Sequence, residues 1–410
     1  MSQDEETSQG IGVGQGSTII EPTDASAARK GSKHGWQCWA PYVAVAWSLV
    51  YAFLMGYSIL SGTGIPIDLT TSVYPMGPLI SRLGLPLASL FVLLAGLPAA
   101  AMGFAMLRGV RGRLLRPLLI TFGSLLAGVL LLLMTGLDLL VLVGYIPFTI
   151  RALIIGSASG RDILAIWVQW SVLHQLLCLV GGFFWLGATI AYARRSGEAC
   201  LYCGRRDALE GWTSPERAKR WGRIAVYVAI VPPLFYAVTR FAWALGIPLG
   251  MSKEYWQNGQ ENGTWTSGLF LATFCLVGAL LMLGLVQRWG EVFPRWIPIL
   301  GGRQVPIVLG VFPAALALVV LIGGGIGIWV ILPPMIAALA PYGVAGIGLI
   351  WDAFFQVGPT LLFPVWGVAL AVGALGYYYR RRGPCAVCGR GAPGNAGESF
   401  ATQVPTDQTA

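Results

Sequence analysis

The chain has 410 residues, 56% hydrophobic and only 11% charged, with a formal net charge of +9. A soluble domain has about a quarter of its residues charged, so this chain lacks the charge to cover a water-facing surface and reads as an integral membrane protein. The basic excess falls in short clusters between apolar runs, which excludes a nucleic-acid-binding face and fits charges that set membrane topology.

Residues 1–35 are rich in Ser, Thr, Gly, Gln and acids and contain no apolar run, so they read as a disordered cytoplasmic tail and not as a signal peptide. A membrane span needs about 20 apolar residues. Eight stretches qualify: 39–60, 84–106, 117–137, 165–192, 221–248, 267–287, 306–330 and 356–379. Residues 391–410 form a second polar tail. Apart from Arg82, Arg151, Arg161, Arg240 and Lys253, every Lys and Arg lies in the tails or in the loops after the second, fourth, sixth and eighth spans. Positive charge stays inside, so a multi-pass protein of the cell membrane with both termini cytoplasmic is expected.

The two halves echo each other. Tyr42 and Tyr51 in "YVAVAWSLVYAF" match Tyr227 and Tyr236 in "YVAIVPPLFYAV", and "GIPI" at Gly64 matches "GIPL" at Gly246. Ile166-Trp167 matches Ile350-Trp351, and "CLYCGR" at Cys200 matches "CAVCGR" at Cys385. The expected fold is therefore all-α: eight spans as a tandem, parallel duplication of a four-helix unit. The first repeat covers 36–206 and the second 207–390, each ending in a Cys-x-x-Cys knuckle. Two such knuckles on one side of the membrane offer four thiolates. Cys200, Cys203, Cys385 and Cys388 are thus expected to hold a structural Zn²⁺ that staples the halves. Two idle dithiols are the bland alternative. Cys38, Cys178 and Cys275 stand singly and read as packing residues.

Polar groups inside spans are costly and mark candidate sites. The fourth span carries Trp167, Trp170, His174 and Cys178 on one stripe, with Gln169 and Gln175 nearby. Asp138 ends the third span, Arg240 lies in the fifth between Tyr236 and Trp243, and Asp352 and Gln356 open the eighth. All fall towards the outer leaflet, where they are expected to line one cavity. The plainer readings are interfacial Trp anchors, a satisfied His174, and a structural Arg240–Asp352 ion pair. Two Pro-containing apolar segments, 139–156 and 331–350, follow the third and seventh spans and are expected to lie re-entrant or on the outer interface, or else to extend long tilted helices. The loop "RWGEVFPRWIPILGGRQVP", Arg288 to Pro306, interleaves Trp, Pro and Arg and reads as interfacial, its Arg residues meeting lipid phosphates.

The "WGEVFPRW…GRQVP" loop, the "WALGIPLG" span end and the paired CxxCGR tails resemble polytopic membrane proteins of actinobacteria, over about residues 36–390. More weakly, the size and the aromatic spans resemble bacterial membrane-bound terpene cyclases. That resemblance implies an integral membrane enzyme acting on an isoprenoid tail. The family's catalytic acids are not matched residue by residue; the residues of the spans themselves offer Asp352 or Asp138 as the proton donor of an acid-initiated cyclisation, with Arg240, Trp243, Tyr236, His174, Trp170, Trp167 and Gln356 around an apolar substrate. Membrane lipids and that substrate are the expected partners, nucleic acid is not, and no oligomeric state follows. A small-solute transporter and a non-catalytic subunit or scaffold are the competing functions; Gly-rich stretches such as "GGGIG" at Gly323 would serve helix packing in the latter.

Overall fold

The computed structural model describes residues 35–62, 80, 85–144, 146–156, 158–197, 199–205, 211–261, 264–339, 354–355, 358–385 and 387–390. Among these the regular elements are helices, with one antiparallel bridge between Val292 and Gln304. In chain order they are α1 (Trp36–Leu60), α2 (Leu85–Ala95), α3 (Leu97–Leu107), α4 (Leu115–Gly128) with a π-helical turn (Val129–Leu133), α5 (Leu137–Gly144), α6 (Ile146–Ile154), α7 (Ala158–Trp167) and α8 (Trp170–Ser196). Then come α9 (Pro215–Ala244), α10 (Lys253–Glu261), α11 (Thr264–Leu283), α12 (Ile307–Leu339), α13 (Gly358–Leu361) and α14 (Phe363–Arg381).

Six helical stretches among the described residues are long and apolar enough to cross a membrane: Trp36–Leu60, Ser89–Leu107, Leu115–Leu133, Trp170–Ser196, Pro215–Ala244 and Ile307–Val330. Gly268–Leu283 is apolar but shorter. Large apolar side chains stand outward along these helices, among them Phe53, Leu125, Val238, Leu281 and Val308. An aqueous surface does not tolerate apolar exposure on this scale, and the molecule has the character of a membrane protein.

Helix boundaries follow local chemistry. The second apolar run is two helices because Gly96 leaves the helical region and Pro98 cannot donate a backbone hydrogen bond. The fourth run also divides. Gln169 is extended (φ −67°, ψ 142°), so α8 starts afresh at Trp170. No Gly or Pro marks that break, and apolar periodicity runs across it. The segment 139–156 forms most of α5 and all of α6, both short. Of the segment 331–350, the part to Leu339 continues α12 through Pro333 and Pro334, and the remainder lies outside the described residues. Proline within a span is tolerated where neighbouring helices cover the freed backbone.

Each half packs its helices in the same order. α1 lies against α3 and α8, and α8 against α4; α9 lies against α11 and α14, and α14 against α12. Tyr51 and Tyr236 are both buried. The Tyr192 hydroxyl donates to the Val110 carbonyl at 2.6 Å, and the Tyr377 hydroxyl to the Gly290 carbonyl at 2.6 Å, each tying the last long helix of its half to the loop before the third. Gly222 and Gly376 let α9 and α14 approach backbone to backbone: a Cβ on Gly376 would lie 2.7 Å from the Gly222 Cα. Between the halves, α12 packs on α5 and on the π-helical turn, and α11 packs on α6. Leu131, Leu179 and Val319 form the buried seam there.

Candidate metal centre and intramembrane polar groups

The knuckles are built alike. In the first, the Gly204 amide donates to the Cys200 carbonyl (2.7 Å) and the Cys200 amide to the Arg205 carbonyl (3.1 Å). In the second, Gly389 donates to Cys385 (2.8 Å) and Cys385 to Arg390 (3.0 Å). Each turn closes only because its glycine takes a positive φ, +73° at Gly204 and +68° at Gly389, a region costly for residues with a Cβ.

The two turns face each other. Arg205 Nη1 donates to the Arg390 carbonyl at 2.6 Å, and Arg390 Nη1 donates back to the Arg205 carbonyl at 2.7 Å. Arg205 also donates to the carbonyls of Gly383 (3.1 Å) and Arg382 (3.2 Å). Arg194, at the end of α8, holds the Leu201 and Tyr202 carbonyls, each at 3.2 Å. These contacts place Cys200 Sγ 3.9 Å from Cys385 Sγ and Cys203 Sγ 3.7 Å from Cys388 Sγ, with all four sulfurs within 4.8 Å of one another. A tetrahedral tetrathiolate with metal–sulfur bonds of about 2.3 Å has sulfur–sulfur edges of about 3.8 Å. A disulfide requires about 2.05 Å. The cluster has the dimensions of a structural metal site, as expected for these four cysteines.

Electrostatics point the same way. Burial opposes ionisation of Cys200, but backbone hydrogen bonds from Cys203 and Tyr202 and the nearby Cys388 and Cys203 thiols bring it down to about 7. Burial and the surrounding thiols push Cys388 up to about 12, and burial also raises Cys203. Without a cation, one thiolate in so small a volume resists the next. Two guanidinium groups lie at the join, Arg382 near enough to Cys203 to feel its charge and Arg205 on the carbonyls of Gly383, Arg390 and Arg382. Arg205 is buried, and the Nε atoms of Arg205 and Arg382 have no hydrogen-bond partner. Burial, and then the Arg205 charge, press Arg382 towards its neutral form. Four thiolates around a divalent cation carry a net charge of −2, which neutralises this arginine pair; two disulfides would not. Arg205 had a sequence signal as the residue after its knuckle glycine and Arg382 as part of the basic cluster before the second knuckle, but their meeting across the halves had none.

Of the intramembrane candidates, His174 and Asp138 are fully buried in the first half. The Tyr51 hydroxyl lies 3.2 Å from His174 Nε2, and Cys178 Sγ 3.6 Å from the same atom. Trp170 flanks His174 at 6.5 Å between ring centroids. Gln175 Nε2 donates to Asp138 Oδ2 at 3.0 Å, while the Gly136 amide donates to Gln175 Oε1 at 2.9 Å. Gln175 thus holds the chain where the π-helical turn gives way to α5. Trp167 packs instead with Leu139, Leu142 and Val172. Cys178 and Gln175 share α8 with His174, as their spacing indicates, whereas Tyr51 joins from α1 through a contact between helices that spacing along the chain does not report.

Arg240, Tyr236 and Trp243 come together in the second half. The guanidinium sits over the Tyr236 ring (4.3 Å) and the Trp243 ring (4.2 Å) and donates to Thr239 Oγ1 (3.1 Å). A chain of indoles caps it: Trp243 donates to the Leu249 carbonyl, Trp256 to that of Trp243, and Trp265 to that of Trp256. Tyr236 packs on Phe363 and belongs to the second core, whereas Tyr51 and Cys178 belong to the first. Asp352 and Gln356 lie outside the described residues. No protein-family model matches the chain, and neither a curated protein nor a solved structure is found to match it.

Proposed function

We propose that this is an eight-span membrane protein formed by tandem duplication of a four-helix unit, with a structural Zn²⁺ at Cys200, Cys203, Cys385 and Cys388 stapling the halves on the cytoplasmic side. The observation that carries the reading is the meeting of four sulfurs from segments 185 residues apart at tetrahedral spacing. A shell of four protein sulfurs leaves no open coordination position, which is the pattern of a structural and not a catalytic site. Support for duplication comes from the shared packing order, the matching Tyr192 and Tyr377 tethers and the reciprocal Arg205–Arg390 bonds. The cytoplasmic side is supported by the clustering of Arg and Lys around the knuckles. Elemental analysis with native mass spectrometry tests the metal. One zinc per chain is expected, released by chelator; a chain isolated without divalent-metal contact that binds no zinc on titration overturns the reading.

A second reading concerns activity, and one cluster favours it. Tyr51 meets His174 and Cys178, and Gln175 donates to Asp138, all buried within the first half. Polar groups at membrane depth mark functional sites. On this reading the protein handles an apolar isoprenoid or lipid-like substrate at the Asp138–His174 group, as a membrane enzyme or carrier. Retained lipid in native mass spectra that disappears in His174→Ala and Asp138→Asn supports it; identical retention in wild type and both variants refutes it.

A further inference from the structure

The loop between α11 and α12 is rigid at its base and apolar at its tip. Phe293 donates to the Arg303 carbonyl (3.0 Å), Gly302 to that of Phe293 (2.9 Å) and Val305 to that of Glu291 (2.9 Å), closing a hairpin around the Val292–Gln304 bridge. The end of α14 clamps this base. Tyr377 donates to the Gly290 carbonyl, Arg381 Nη1 to the Val305 carbonyl at 2.7 Å, and Arg380 forms a 2.7 Å ion pair with Glu291. The equivalent connection in the first half, between α3 and α4, runs only from Arg108 to Leu114. Basic packing therefore does not require the hairpin.

Its tip presents Trp296 and Ile299, 81% and 88% exposed, with Leu300 beside them. Ile299 is the one non-glycine residue with positive φ (69°) among the described residues. A β-branched side chain is poorly suited to that region, so the backbone is strained at the point where this isoleucine stands outward. Arg295 precedes Trp296 in the hairpin, Arg303 lies at its base and Arg288 just before it, and the loop's sole acid, Glu291, is already neutralised by Arg380. The outward apolar surface continues onto the start of α12 through Val308, Leu309 and Phe312. Cationic side chains around an exposed indole, continuous with a lipid-facing helix, match one environment: the zone between acyl chains and anionic headgroups.

We propose that the 292–304 hairpin is a lipid-binding wedge that seats Trp296 and Ile299 in the leaflet on the knuckle side and gathers anionic phospholipid around Arg295 and Arg303. An acidic protein partner or a second copy of the chain are the other occupants such a surface could take.

The test uses the full chain in nanodiscs of mixed phosphatidylglycerol and phosphatidylcholine, with Trp296→p-benzoylphenylalanine as a photoreactive probe. Irradiation is expected to yield lipid adducts, with the ratio of phosphatidylglycerol to phosphatidylcholine adducts raised over the bilayer ratio by about fivefold per basic side chain engaged. The enrichment should fall with added salt and vanish in Arg295→Gln/Arg303→Gln. Ile299→Gly, which suits the positive φ, should keep or raise thermal stability while lowering the lipid adduct yield. Absence of lipid adducts overturns the proposal, as do adducts to protein only. Equal labelling of the two lipids also overturns it, because the arginines would then recruit nothing.

Discussion

Replacing Cys200 by Ser removes one of the four sulfurs and breaks the Cys200–Cys385 approach across the halves. Its cost can be bounded. For a free chain, closing a loop of this span is worth about 5 kcal/mol. Here the helices are held by the bilayer and by the Leu131–Leu179–Val319 seam, so most of that entropy is already lost. About 2 kcal/mol is the expected effect on association of the halves, roughly thirtyfold in an equilibrium constant. The assay is a chain with a protease site introduced between residues 206 and 210. After cleavage in mild detergent, copurification of the halves is measured against detergent concentration, alongside metal content. Cys200→Ser should lose the metal and part its halves at lower detergent concentration, and a chelator should do the same to the parent. A variant that retains one metal per chain, or a chelated parent whose halves part no more readily, would refute the staple.

Metal affinity should fall as the pH drops, since every bound thiolate gives up a proton on binding. The fall should steepen below about 7, where Cys200 also becomes protonated in the metal-free site; a competitive chelator titration that is flat across neutrality contradicts this. Gly204→Ala and Gly389→Ala should separate two costs. Both force alanine into positive φ, about 1–2 kcal/mol, but only at position 204 does the new Cβ also crowd a neighbour, Arg194 Nε at 2.9 Å. Gly204→Ala should therefore weaken metal binding more, and equal affinities would count against the geometry. Gly376→Ala should wedge α14 from α9, because its Cβ meets the Gly222 Cα and lies 3.0 Å from the Ala218 carbonyl oxygen. A loss of about 1–3 kcal/mol is expected, and an unchanged thermal midpoint in detergent would show that the helices do not approach so closely.

Much of this molecule is legible without coordinates because the physics is local. A run of apolar residues becomes a helix where the backbone must satisfy itself, so the apolar stretches locate the long helices. Pro98 after Gly96 likewise announces a break. The knuckles are legible for the same reason, since Cys-x-x-Cys-Gly-Arg specifies its own turn through bonds spanning a few residues. The break before Trp170 was not legible, because neither a proline nor a glycine causes it.

Which residues meet across the molecule is set by packing. Spacing offered four cysteines; packing of the halves sets Cys200 against Cys385 and Cys203 against Cys388, with Arg205 and Arg390 exchanging hydrogen bonds across the join. The polar residues of the spans were visible as candidates for one cavity, yet they sort into two groups, His174 and Asp138 through Gln175 in the first half and Arg240 over Tyr236 and Trp243 in the second. The hairpin could be read as interfacial, but not that its base is clamped to α14 and its isoleucine held at positive φ. Composition and periodicity encode how each segment satisfies its own backbone and its solvent. Contacts between segments far apart in the chain depend on how helices cross and where they bend, and those are properties of the packed whole.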